Sequence, residues 1–143
     1  MARTMTNLEA TILNALLAGE APQLEPLRAQ VHVASVLRRE LSGVGFFTHF
    51  AVPPDVPRPG VVGRMVLSDI GADIEGVVHG SGFALFIQDG ILDFLEGFTY
   101  SDPWPAEARL LRWYYLHPKV TGGSELVEST DRDLGYALRR LAV

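Results

Sequence analysis

Asp93 and Glu96 are the residues of this chain whose types and placement most invite chemistry. They lie inside an otherwise apolar run, HGSGFALFIQDGILDFLEGFTYSDPWP, residues 79 to 105. A carboxylate in apolar surroundings either works as a general acid or base in a pocket or is held by an arginine or by backbone N–H groups, because an unpaired buried charge is too costly. For Glu96 the structural partners in reach of sequence reasoning are the FTY and DPWP turns and Arg64, Arg109 or Arg112. Three residues apart on a strand, the two acids point to opposite faces, so they do not make the paired carboxylates of a glycosidase.

Four histidines occur, His32, His49, His79 and His117. None has the H-x-x-x-H or H-E-x-x-H spacing that puts two ring nitrogens on one helix face toward a metal. A site joining His49 and His79 to Glu40 or Asp69 demands a tertiary arrangement that no spacing encodes, so no metal is expected. His79-Gly80-Ser81-Gly82 lacks the outer glycines of the nucleophile elbow, and Gly43-Val44-Gly45 precedes a strand rather than a helix, so it cradles no dinucleotide. No Walker motif is present, and no cofactor is expected. The candidate catalytic set is therefore Glu96, His49 and His79, in a pocket of a small-molecule binder or hydrolytic enzyme.

The aromatic residues suggest a different activity. Phe47 is expected beside Arg38, Glu40 and His49, and Tyr100 and Trp104 lie in a turn. Rings and arginines with a polar rim are the composition of a protein-binding surface. The same rings could instead pack beneath a helix or the proline loop.

The elements that position these residues follow from periodicity. Residues 6–18 are expected as a helix, opened by the capping-box pair Thr6 and Glu9, striped by Leu8, Ile12 and Leu16, and ended by Gly19. A short helix near 22–30 and a strand near 32–41 follow, although residues 31–41 fit either period. A turn at 42–45 leads into FFTHFAV, placing Leu37 opposite Phe50, Arg38 opposite His49, Glu40 opposite Phe47 and Leu41 opposite Phe46. PPDVPRPG, residues 53–60, is an extended exposed connection. Residues 61–70 form a strand, and 71–76 a turn with a short extended end. Asp89-Gly90 is a type I′ hairpin signal. It puts Phe83, Leu85, Ile87, Leu92, Phe94 and Glu96 on one face, and Ala84, Phe86, Ile91, Asp93 and Leu95 on the other. Residues 108–116 make a further strand, and 131–141 a closing helix with Leu134, Leu138 and Leu141 on one stripe and Arg139 and Arg140 in its last turn. The expected class is α+β, an antiparallel sheet of five or six hairpin-built strands with an N-terminal helix and a short C-terminal one. Residues 1–143 are expected to be one domain, with 120–143 as a peripheral tail or helix.

Composition narrows the partners. The chain has 143 residues, 48% hydrophobic, with a formal net charge of −5, and Lys119 is its only lysine. An acidic chain is poorly suited to a phosphate backbone, so no nucleic acid is expected. Cysteine is absent, which removes disulfides, thiolate zinc sites and cysteine nucleophiles. The N-terminus lacks an uninterrupted apolar h-region, and no apolar run approaches the roughly 20 residues that span a bilayer. A cytoplasmic protein without a membrane partner is the expectation.

The hairpin resembles that of small bacterial proteins with the pattern G-F-x-L-F-x-x-D-G-x-L-x-x-L-E-G-[FY]-T-Y-x-x-x-W-P. The match runs from Gly82 and Phe83 through Asp89, Gly90, Leu95, Glu96, Gly97 and Tyr100 to Trp104 and Pro105, with GVGFFTHF before it. It covers residues 43–52 and 78–116. The resemblance implies an immunity or antitoxin-type protein, one that acts by binding. Together with the missing catalytic constellation, this gives the leading expectation: a non-enzymatic module binding a protein partner or itself, through Phe47, His49, Arg38, Glu40, Tyr100 and Trp104. The enzyme with its Glu96, His49 and His79 pocket is the alternative, and a homodimer through the second hairpin face is a third.

Overall fold

The computed structural model of the chain describes residues 3–116. The expected helix at 131–141, the tail from 120 and His117 lie outside the described residues. The described residues have an α+β architecture, two helices on a six-stranded antiparallel sheet. The elements are α1 (Asn7–Leu16), α2 (Leu24–Val33), β1 (Ser35–Leu41), β2 (Gly45–Ala51), β3 (Arg64–Ile74), β4 (Ser81–Gln88), β5 (Ile91–Thr99) and β6 (Leu110–Tyr115). Their order across the sheet is β1-β2-β5-β4-β3-β6. Among the described residues no helix is long and apolar enough to cross a membrane.

α1 starts as the capping box requires: the Thr6 hydroxyl accepts from Glu9 N–H, and the Glu9 carboxylate accepts from Thr6 N–H at 2.8 Å. The Leu17 N–H caps the last turn by donating to Leu13 O, and the chain just past the helix is held from a distance, since Arg28 Nη1 donates to Leu17 O and Gly19 O. α2 runs three residues further than the periodicity predicts, taking His32 and Val33 from the expected strand. The reason is an anchor. Gln30 is fully buried; its amide donates to Pro57 O and Gly90 O, and its carbonyl accepts from Leu92 N–H at 3.0 Å. These three bonds tie α2 to the β4–β5 turn and override the strand preference of a β-branched run. They also pin the proline loop, which is largely exposed as expected but not loose: Gly63 and Asp89 exchange hydrogen bonds as well.

α1 packs on β3 and β4, and α2 on β5. Ile12, Leu13, Leu16, Leu24 and Leu27 meet Leu67, Ile70, Phe83, Leu85, Ile87 and Leu95 in one buried layer. The other face of the sheet carries neither helix, and among the described residues it is the uncovered face.

Two β-bulges correct the expected registers. In the first hairpin Arg38, Glu40 and Leu41 face His49, Phe47 and Phe46 as expected, but Val36, not Leu37, faces Phe50. Leu37 is the extra residue and is exposed. In the second, Ile87 faces Leu92, yet Phe86 faces Phe94 and Ala84 faces Glu96. Asp93 is the extra residue there. One inserted residue exchanges the faces of everything beyond it. Leu95 therefore joins the core, while Phe94 and Glu96 move to the uncovered face beside Phe86 and Ala84. The turn itself is as expected, with positive φ at Asp89 and Gly90. β3 is also longer than predicted: most of GADIEG continues the strand, paired with β6.

Candidate functional site

The uncovered face collects most of the residues singled out from sequence. Arg38, His49, Phe94 and Phe86 lie side by side on β1, β2, β5 and β4, with Glu40, Phe47, Glu96 and Ala84 as the next row. The rings form a continuous cluster. Phe86 and Phe94 stack at 4.4 Å, His49 lies 5.3 Å from Phe94, and Phe47 meets Phe94 edge-on at 6.0 Å. The Arg64 guanidinium sits 5.1 Å above Phe86 and 5.9 Å from Phe94, in cation–π range of both. All four rings are only half-buried.

At the rim, Arg38 Nε donates to Glu40 Oε1 at 3.3 Å. His49 Nε2 lies 2.7 Å from the same oxygen, a close contact without the alignment of a good hydrogen bond. Arg38 first, then His49, hold the Glu40 carboxyl below its ordinary range. The pair is exposed, and its energetic worth is correspondingly small. Further along the same face, Phe98 and Tyr100 lie over Gly82, and Tyr114 over Gly71. A Cβ at Gly82 would come within 2.7 Å of the Phe98 ring, so these glycines are the floor on which the rings rest. Arg112 stacks over Tyr114 at 5.4 Å and is held by Asp73. Burial, aided by Tyr114, raises the Tyr100 hydroxyl pKa.

The chain matches no family model, no curated protein and no solved structure. What the site can do therefore rests on its own geometry.

That geometry separates the predicted catalytic set. Glu96 and His49 share the uncovered face, Glu96 between Phe47 and Ala84 and engaged in its own interactions. His79 is elsewhere, at the β3–β4 connection. Its N–H donates to Asp102 Oδ2 at 2.9 Å, its Nδ1 lies 3.3 Å from the same oxygen, and its side chain is 64% exposed. The His79 N–H is the main cause of the lowered pKa of Asp102. Clefts of ≈ 400 Å³ and ≈ 720 Å³ open along the start of α1, and neither is lined by Glu96, His49 or His79. Among the described residues no group of three or more His, Asp or Glu is placed to hold a metal ion.

The predicted binding set also divides. Phe47, His49, Arg38 and Glu40 are together, and Tyr100 is on the same face. Trp104 is on the other: it packs edge-on against Phe46 at 5.1 Å and Phe83 at 6.4 Å, and its backbone N–H donates to Gly43 O. Phe86, Phe94 and Arg64 also belong to the patch, and residue spacing does not place them there. The only signal for Phe94 is the bulge at Asp93, which no residue pattern announces.

Proposed function

We propose that this chain is a non-enzymatic binding module whose protein partner seats on the uncovered face of the sheet. One observation carries the reading: the row Phe47, Phe94 and Phe86, with His49 and Arg64 against it, lies half-buried on a face that neither α1 nor α2 covers. Clustered aromatic rings with an arginine, rimmed by charges such as Arg38 and Glu40, have the make-up of an interface hot spot. The net charge of −5 favours a basic partner through electrostatic steering. Neutralisation of a basic toxin, as the hairpin resemblance suggests, is one such partnership. The enzyme alternative is less well supported, because its three residues do not converge on a cleft.

A photo-crosslinking residue placed at position 47 or 94 in cells of the native host tests this, with position 25, exposed on α2 at the helix-covered side, as control. The expected result is a covalent adduct to the same basic protein from 47 and 94 and none from 25. Equal labelling from all three positions, or no adduct at any, sinks the proposal.

A further inference from the structure

The cleft of ≈ 400 Å³ at the start of α1 lies on the helix side of the sheet and shares no residue with the ring patch. Trp104, Phe46, Leu8 and Leu41 give it apolar walls, and Leu41, at its rim, is 81% exposed. Its charged lining is Glu9, Arg39 and Glu107. The second cleft, of ≈ 720 Å³, adjoins it and shares Glu107. We propose that the first cleft binds a small organic cation, a free amine on an aromatic or branched aliphatic body, with the body against Trp104, Phe46 and Leu41 and the ammonium at Glu107.

Three observations favour this ligand. The first is charge. Glu9 Oε1 accepts from Thr6 N–H and Arg39 Nη2, and Oε2 accepts from Arg39 Nε and the Thr48 hydroxyl. Glu9 and Arg39 therefore spend their charges on each other, inside the floor of the cleft. In the adjoining cleft Arg109 is paired in the same way, 3.5 Å from Glu75. Glu107 is exposed and has no ion pair among the described residues. The charge left for a ligand is thus negative, and a carboxylate or phosphate would meet only repulsion there. The second is ring chemistry. An indole is the aromatic side chain that attracts a cation most strongly, so Trp104 three residues from Glu107 favours an ammonium through its quadrupole as well. The third is that the walls are fixed before any ligand arrives. Trp104 stands between Pro103 and Pro105, whose rings restrict the backbone, and its N–H donates to Gly43 O at 2.9 Å. The Phe46 ring lies on Gly97, where a Cβ would come within 2.3 Å of it. A preformed apolar cleft of this volume with few polar groups suits a small molecule, and ordering it costs little on binding.

This site goes beyond the partner surface on the open face, and neither depends on the other. Its test titrates the isotope-enriched full chain with phenethylamine, 2-phenylethanol and phenylacetate, three small molecules of the same aromatic body with a positive, a neutral and a negative end. Phenethylamine should give saturable shifts of the Trp104 indole N–H and of the Leu8 and Leu41 amides. The alcohol should bind the same signals about tenfold more weakly, and phenylacetate should leave them in place. Glu107→Gln changes an exposed side chain and leaves the fold intact; it should bring the amine to within about threefold of the alcohol while the alcohol's own affinity stays the same. Equal affinity for the three compounds overturns the proposal, and so does an amine preference that survives Glu107→Gln. Shifts centred on Phe47 and Phe94 would move the ligand to the open face, and shifts centred on Thr11 and Leu110 to the second cleft; either outcome also overturns it. Shifts that never saturate would mean a loose charge contact rather than a site, with the same consequence.

Discussion

Arg38 and Arg39 are neighbours on one strand, and they belong to two different kinds of structure. Arg39 points beneath the helices. Its Nε and Nη2 make a two-pronged contact with the Glu9 carboxylate at 2.9 and 2.7 Å, and Thr48 donates to the same group at 2.5 Å. Glu9 is 2% exposed. Burial pushes its pKa up, but the hydrogen bonds from Arg39, Thr48 and Thr6 N–H, with the Arg39 charge, outweigh that and leave it lowered. Arg38 points the other way, to an exposed contact with Glu40 at 3.3 Å. The helix side of the sheet uses buried polar groups such as Glu9, Thr48 and Gln30 as fasteners. The open side spends its charges on a solvated rim around rings. Environment, not residue type, decides what an arginine–glutamate pair is worth.

This contrast is open to direct attack. Arg39→Ala strands a buried carboxylate and should lower the unfolding free energy by about 3 kcal/mol, measured by urea denaturation. A loss below about 1 kcal/mol would mean the two pairs are equivalent and the contrast is wrong. Gln30→Ala leaves the Leu92 N–H without its partner in the core and should cost about 2 kcal/mol in the same assay.

Acid should act on the covered side too. The Glu9 carboxyl has a folded-state pKa below its unfolded value of 4.5. Its contribution is fully present above that value and is lost as pH falls through the folded-state pKa. Denaturation midpoints at about pH 6 and about pH 3 should therefore converge more between wild type and Glu9→Gln at the lower pH. An unchanged gap would show that Glu9 does not titrate as a paired acid. The smallest effect is expected at the rim. Arg38→Ala should change stability by no more than about 0.5 kcal/mol while weakening adduct formation from position 47. A large stability loss there would move Arg38 into the same class as Arg39.

Local chemistry made part of this structure legible in advance. The α+β class, the Thr6–Glu9 cap, the Asp89-Gly90 turn and the Arg38–His49 and Glu40–Phe47 pairing all follow from spacings of a few residues, where backbone geometry leaves little choice. The patch around Phe47 and His49 could be anticipated for the same reason. Its other half could not. Phe94 and Glu96 change faces because one residue, Asp93, is extruded from the ladder, and nothing at Asp93 marks it as the extra one. Trp104 went to the core side because Phe46 and Phe83 offer a slot there, a contact set by strands distant in sequence.

The sequence by itself determined which residues are apolar, where the chain turns and which carboxylate caps α1. Only the tertiary structure decided that Glu9 is clamped by Arg39 and Thr48, that Gln30 holds the hairpin 60 residues away, and which aromatic rings face outward. The physical reason is range. Caps and turns are fixed by hydrogen bonds a few residues apart. The identity of a buried polar partner, or the parity of a strand past a bulge, is fixed by which surfaces must be desolvated together.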